Sequence, residues 1–256
     1  MSIYNILGSK NIECDCGGKA YGLHLLNTAG MQIPETLIIP CKLRISEYKN
    51  EIQEFIDNIV NKYGKTMFAI RSSAENEDGI NNSWAGIYDT KLSVTTENVY
   101  ETVLQMYNYT GTSRQEVYGT FANIASTPEM SLIVQRMIDS TVSGVCFSIN
   151  PINGNHAEIV IEVVEGLGDK LVGGLITPQM YIINESGNCL SFDNGDYVGV
   201  NLLSDCMLRY FSKQIAYIKN ALYIKADIEF AFHDKQVFFL QIRPITKTNN
   251  FVMLSA

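Results

Sequence analysis

Two strand-like runs at residues 226–243 constrain the architecture more than any other stretch. Ala226 to Phe232 and Gln236 to Arg243 flank His233-Asp234-Lys235 and read as an antiparallel hairpin. Ser131 to Met137 and Val142 to Ile149 flank Ile138-Asp139-Ser140-Thr141 in the same way, and Gln179 to Ile183 and Cys189 to Phe192 flank Asn184-Glu185-Ser186-Gly187-Asn188. Leu37 to Ile39, Met67 to Arg71 and Ala157 to Val164 add short apolar strands. Hairpins hold their strands antiparallel, so the helices must pack on the sheets instead of alternating with parallel strands. Helical spacing is clear in Ile52, Phe55, Ile56, Ile59, Val60 and Tyr63, in Val99, Val103 and Tyr107, and in Met207, Leu208, Phe211, Ile215, Ile218 and Leu222. The expected class is α+β. No Pro/Ser-rich linker divides the chain. A composition shift at residues 93–98 sets the expected boundary between an N-terminal lobe, residues 1–96, and a C-terminal lobe, residues 97–256.

Composition removes several function classes. Hydrophobic residues make up 46% of the 256, enough for a sizeable core. With 27 acidic and 19 basic residues the net charge is −8, so there is no global field for nucleic acid or an anionic membrane. A local group of cations can still hold an anionic ligand. No apolar run approaches the ~20 residues of a membrane span. Met1-Ser2-Ile3-Tyr4-Asn5 is unlike a secretory signal, and Cys14, Cys16, Cys41, Cys146, Cys189 and Cys206 are scattered. The expectation is a cytoplasmic protein with reduced thiols. Cys14-Asp15-Cys16 alone is a weak metal signal.

The chemistry concentrates in three segments. In the hairpin, Asp227 and Glu229 share one strand face, and so do Gln241 and Arg243. If the connection holds an odd number of residues, Glu229 faces Gln241, Asp227 faces Arg243, and all four converge. Two carboxylates and an amide oxygen suit Mg²⁺ shared with phosphate oxygens, and an Arg beside them suits a transferring phosphoryl group. An exposed sheet face with an ion pair explains the same residues equally well. Cys16-Gly17-Gly18-Lys19 presents an ammonium where backbone can approach a ligand, without Walker A spacing. Ile70-Arg71-Ser72-Ser73-Ala74, then Ser83-Trp84-Ala85-Gly86, places an Arg at a strand end before a small-residue loop that could cover a polyphosphate.

In order along the chain, these segments resemble a known family. Gly17-Gly18-Lys19-Ala20 through Ala29-Gly30-Met31-Gln32-Ile33-Pro34 is similar to the opening of the nucleotide-binding domain of phosphoenolpyruvate synthase and pyruvate phosphate dikinase. Further blocks are Ala69 to Ala74 with Trp84-Ala85-Gly86 and Asp89-Thr90, and Val134-Gln135-Arg136-Met137 with Val142-Ser143-Gly144-Val145. Glu165-Gly166-Leu167-Gly168-Asp169 with Thr177-Pro178, then Asp227-Ile228-Glu229 and Leu240 to Thr246, complete the set. The resemblance implies a two-lobed ATP-grasp fold with ATP between the lobes. It implies Lys19, Arg71 and Arg243 on the phosphates, and Asp227, Glu229 and Gln241 on Mg²⁺. It also implies an adenine-reading edge at Gln135, Arg136, Met137 and Ile138, and a covering loop at Ser83 to Gly86 assisted by Thr90.

In the larger relatives, a histidine on a separate domain receives the phosphoryl group. The expectation is that these 256 residues hold the nucleotide-binding part alone. The acceptor would then be a histidine on a separate phosphohistidine-domain protein, or a small molecule. His24, His156 and His233 lack the Gly-rich, Ser-His context of that carrier. A stand-alone ATP-grasp kinase or ligase of small-molecule biosynthesis and a non-catalytic nucleotide-binding module are the competing readings.

Overall fold

Every residue of Met130–Arg136 is buried, as expected of a strand covered on both faces and flanked on both edges. A computed structural model of the chain describes residues 2–8, 16–74, 90–109, 130–168, 176–222 and 225–245. It divides into two compact units, Met1–Asn27 with Pro34–Met137, and Thr28–Ile33 with Ile138–Ala256.

In the first unit, strands β1 (Tyr4–Asn5), β2 (Thr36–Ile39), β3 (Met67–Ala74), β4 (Thr90–Thr95) and β5 (Met130–Arg136) form an antiparallel sheet in the order β1-β2-β5-β3-β4. Helix α1 (Gly17–Thr28), helix α2 (Lys49–Tyr63) and helix α3 (Val99–Tyr109) accompany it. The expected α2 stripe is real, because Ile52, Phe55, Ile56 and Ile59 are buried against Leu37, Ile39, Phe68, Ile70, Leu132 and Val134. Burying each such side chain contributes about 1.5–3 kcal/mol. These partners alternate along their strands, so α2 and α3 cover one sheet face and Ala69, Arg71 and Ser73 lie on the other.

In the second unit, strands β6 (Val142–Phe147), β7 (Glu158–Glu165), β8 (Gln179–Asn184), β9 (Cys189–Asp193), β10 (Ala226–His233) and β11 (Gln236–Pro244) run antiparallel in the order β11-β10-β6-β7-β8-β9. Helix α4 (Asp205–Leu222) buries Leu208, Phe211, Ile215 and Ile218. The Phe211 ring lies 4.5 Å from Phe230, 6.0 Å from Phe232 and 6.2 Å from Phe239, so α4 covers the face carrying Phe230 and Phe232. Asp227 and Glu229 therefore lie on the opposite face.

Two expectations change. The boundary falls at Met137/Ile138 and not at 96/97, because α3 packs into the first core and β5 inserts between β2 and β3. The runs around Ile138-Asp139-Ser140-Thr141 are not a hairpin: β5 and β6 belong to different sheets, and those four residues carry the chain from one unit into the other. Local spacing looks the same in both cases, and only the competition among strands for neighbours decides it. The other two hairpins form as read, giving the α+β class. Among the described residues no helix is long and apolar enough to cross a membrane.

Candidate functional site

The register of the last hairpin has two sources. Its turn contains two residues, not three: His233 pairs with Gln236 across Asp234 and Lys235, whose φ angles are 46° and 65°. Positive φ at both central positions matches the twist of the flanking strands. With that turn alone, Phe239 and Gln241 would share the face covered by α4. A bulge intervenes, Phe230 pairing with Phe239 and Glu229 with Gln241, so Leu240 is the additional residue. The bulge turns Gln241 and Arg243 onto the face of Asp227 and Glu229. Glu229 then stands opposite Gln241, and Asp227 opposite Arg243. The extra residue that convergence requires is thus in the strand, where turn chemistry gives no sign of it.

The Arg243 Nη2 group donates to Asp227 Oδ2 at 2.7 Å, with the Asp227 side chain 15% exposed and that of Arg243 39%. Asp227 is thereby engaged in orienting a guanidinium, while Glu229 and the buried Gln241 form the neighbouring row. Among the described residues there is no group of three or more His, Cys, Asp or Glu side chains able to hold a metal ion. The donor set is instead at most two carboxylates and an amide oxygen. That fits Mg²⁺, which takes one or two carboxylates and completes its octahedron with phosphate and water.

Glu162 escaped the sequence reading. It pairs with Val145, which pairs with Glu229, so Gln241, Glu229, Val145 and Glu162 make one row across four strands. Burial raises the Glu162 pKa, and the charge of Asp227 raises it further. The buried Cys146 thiol is pushed up by the same two causes in the same order. A lone Glu inside Ile159-Val160-Ile161-Glu162-Val163-Val164 was the available signal. Ser140 and Ser143 were also missed: their Oγ atoms donate to Gly166 O at 2.9 and 2.6 Å and hold the glycine turn after β7.

In the first unit, the opening turn of α1 sits on the end of β3. Lys19 Nζ donates to Ser72 O at 3.2 Å, and the Ala20 N–H donates to Ser73 Oγ at 3.1 Å. Ser73 thus satisfies an N–H that a helix start would otherwise leave orphaned. Lys19 is brought beside the residue that follows Arg71. Arg71 pairs with Thr90 on β4 and Ile133 on β5. Ser83 and Gly86 lie outside the described residues.

The expected adenine segment is split by the pleat. Gln135 faces the side of Arg71 and donates from Nε2 to Thr36 Oγ1 at 3.3 Å. Arg136 faces the other side, where its Nε donates to Glu35 Oε2 at 2.6 Å and its guanidinium carbon lies 4.0 Å from the Tyr63 ring centroid. Lys62 Nζ reaches Glu35 Oε1 at 3.1 Å, and the Tyr63 hydroxyl donates to the same oxygen. The N–H groups of Arg136 and Met137 donate to Glu35 O and Met67 O at 2.9 and 2.8 Å. Met137 Sδ accepts from the Ser93 N–H at 3.0 Å, and Ile138 is buried with Ala231, Phe238 and Leu240. Of the histidines, His24 is on α1, His156 accepts Lys219 Nζ through its carbonyl, and His233 Nδ1 lies 2.5 Å from Asp139 O.

Burial alone would raise the Glu35 pKa, but hydrogen bonds from Tyr63 and Arg136 outweigh it and hold the carboxyl at about 2 instead of 4.5. The native state therefore binds fewer protons here than the unfolded chain. Stability of roughly 3 kcal/mol, present above about pH 4.5, is lost as the pH falls towards 2. Urea unfolding at a series of pH values should show this acid slope in the parent and a smaller one in Glu35→Gln.

A family model described as "Pyruvate phosphate dikinase, AMP/ATP-binding domain" matches residues 44–195. A Bacillus subtilis protein described as "Uncharacterized phosphotransferase YvkC" is 28% identical, over 90% of this chain and 33% of its own length. The phosphoenolpyruvate synthase of Aeropyrum pernix is 40% identical over 46% of this chain and 15% of its own. Among solved structures, a D-alanine–D-alanine ligase from Bacillus anthracis is 9% identical with a TM-score of 0.46, covering 92% of this chain and 59% of that one. The chain spans a third or less of the length of these two curated relatives. Because the match of the family model takes in more than half of the residues, the chain belongs to the pyruvate phosphate dikinase AMP/ATP-binding domain family, and with it to the ATP-grasp fold.

Proposed function

We propose that the chain is an ATP- and Mg²⁺-dependent phosphotransferase, with Lys19, Arg71 and Arg243 binding the phosphates and Glu229 and Gln241 holding the metal. The observation that carries this reading is the bulged hairpin, which sets an amide, two carboxylates and a guanidinium in two adjacent rows of one sheet face. Phosphoryl transfer asks little covalent chemistry of the protein and much positioning of cations. Mg²⁺, when bound, would neutralise phosphate charge and align oxygens. Asp227 holds the Arg243 guanidinium in place, and Lys19 is held at the end of β3 by Ser72 O. The net charge of −8 is no obstacle, because the field that matters is local.

The acceptor in this reading is a histidine on a separate protein. Family membership and the relatives' names, phosphotransferase and phosphoenolpyruvate synthase, support phosphotransfer, and the resemblance to that family suggests the histidine acceptor. ATP, water and the partner's histidine would give AMP, phosphate and phosphohistidine, one of the two phosphoryl groups released from AMP going to the imidazole nitrogen and the other to water. Incubation with labelled ATP, Mg²⁺ and a stand-alone phosphohistidine-domain protein should place acid-labile label on the partner and release AMP with phosphate, followed by phosphorus NMR. Consumption of ATP only with small carboxylate or amine acceptors would favour the ligase-type alternative. No consumption with either acceptor class would overturn the reading.

A further inference from the structure

We propose that the cleft between β1 and α2 is a docking groove for an extended segment of a partner protein that carries a basic residue beside an apolar one. α2 covers the sheet face opposite Arg71, so the groove lies apart from the phosphate-binding residues proposed in this unit. β1 reaches only Leu37 and Ile38 of β2 before giving way to a 3₁₀ turn at Ile6–Gly8. The space left beside α2 is a cavity of about 460 Å³. Leu37, Phe55 and Ile59, all buried, form its floor, and Ile3 and Leu7 line it from the strand side. Leu7 is 47% exposed, yet its turn is fixed: its N–H donates to Asn5 Oδ1 at 3.2 Å, and Asn27 Nδ2 donates to Ile6 O at 3.2 Å. An exposed leucine held beside an apolar floor favours an aliphatic side chain from outside.

The charge of the groove is one-sided. Glu51 and Glu54 line it from α2, and neither has a hydrogen-bond or ion-pair partner among the described residues. At this spacing they stand side by side on the helix, where like charges repel. The helix dipole accounts for Glu51 in the first turn but not for Glu54. At the other end Lys62 is paired with Glu35 at 3.1 Å, so the uncompensated charge is negative and sits at the Glu51 end. A cation there is complementary. Glu54 and Ile59 are about 7.5 Å apart along the helix axis, the reach of about two extended residues. A lysine or arginine two positions from a leucine-sized residue, on one face of an extended segment, meets both. Asn58 between them offers an amide to the segment's main chain. The exposed charges then select the partner and speed its arrival, while the apolar contact holds it.

The test is fluorescence polarisation of the full chain with a labelled, serine-spaced peptide carrying leucine and two lysines at alternate positions. Changing both lysines to glutamine, or the leucine to serine, should each weaken binding about tenfold. In the protein, Glu51→Gln with Glu54→Gln should weaken it about tenfold and Leu7→Ser about threefold. A charge-matched control pair outside the groove, Asp57→Asn with Glu101→Gln, should change it less than about twofold. All five positions are exposed, so thermal melting should show every variant folded. Groove variants that bind like the parent would overturn the proposal. Equal weakening by the control pair would overturn it too, reducing the effect to the field of a chain of net charge −8. So would a parent chain that binds the lysine peptide no better than the glutamine one. A parent dimer in sedimentation that Leu7→Ser converts to monomer would also overturn it, by seating a second copy in the groove.

Discussion

Glu229→Gln is expected to lower ATP turnover by roughly 10²–10³-fold, the usual cost of removing one preorganised group that stabilises transition-state charge. The substitution keeps side-chain shape and removes one negative charge from the row Gln241-Glu229-Val145-Glu162. Its stability effect should stay within about 1 kcal/mol, because side-chain volume is kept and no cavity is made. Thermal melting and turnover should therefore separate cleanly. Arg243→Ala would be less decisive, since it strips the cation from Asp227, a side chain only 15% exposed. Removing a charged hydrogen-bond partner from a partly buried carboxylate costs about 1–3 kcal/mol, so activity and stability would fall together. Full activity in Glu229→Gln would show that the hairpin face is an ordinary sheet surface with an ion pair.

Gly17→Ala is expected to destabilise the first unit by about 3 kcal/mol. Gly17 has φ +81°, and a Cβ there would lie 2.4 Å from the Ser73 carbonyl carbon. The obstacle is strand backbone, so no rotamer change relieves it. The first turn of α1 would have to lift off β3. Both the Ala20 N–H to Ser73 Oγ bond and the Lys19 Nζ to Ser72 O bond would be strained. Urea unfolding should register the stability loss, and tripolyphosphate binding should weaken in the folded fraction. Unchanged stability would mean that the glycine is not what lets the helix approach the strand.

These two sites show what the sequence could and could not say. Gly17 and Lys19 were visible as a glycine pair before a cation, but that Ser73 caps the helix from 53 residues away was not. Asp227, Glu229, Gln241 and Arg243 were visible as a polar quartet. Their convergence depends on a bulge at Leu240, which carries no residue signature of its own. The α2 and α4 stripes fixed those helices, because a strong period of 3.6 survives any tertiary context. The link at Ile138 to Thr141 was misread because a hairpin and a crossover between sheets share the same short polar connection. Glu35 gave no warning at all. Its partners Lys62, Tyr63 and Arg136 are 27, 28 and 101 residues distant, and only folding assembles them.

The central claim is that this hairpin holds Mg²⁺ together with the phosphates of ATP. Calorimetric titration of ATP into the full chain, with Mg²⁺ and then with excess chelator, tests it most directly. The account predicts binding that weakens at least tenfold without Mg²⁺ in the parent, and a much smaller metal dependence in Glu229→Gln. ATP binding of equal strength with and without the metal, in both proteins, would contradict it.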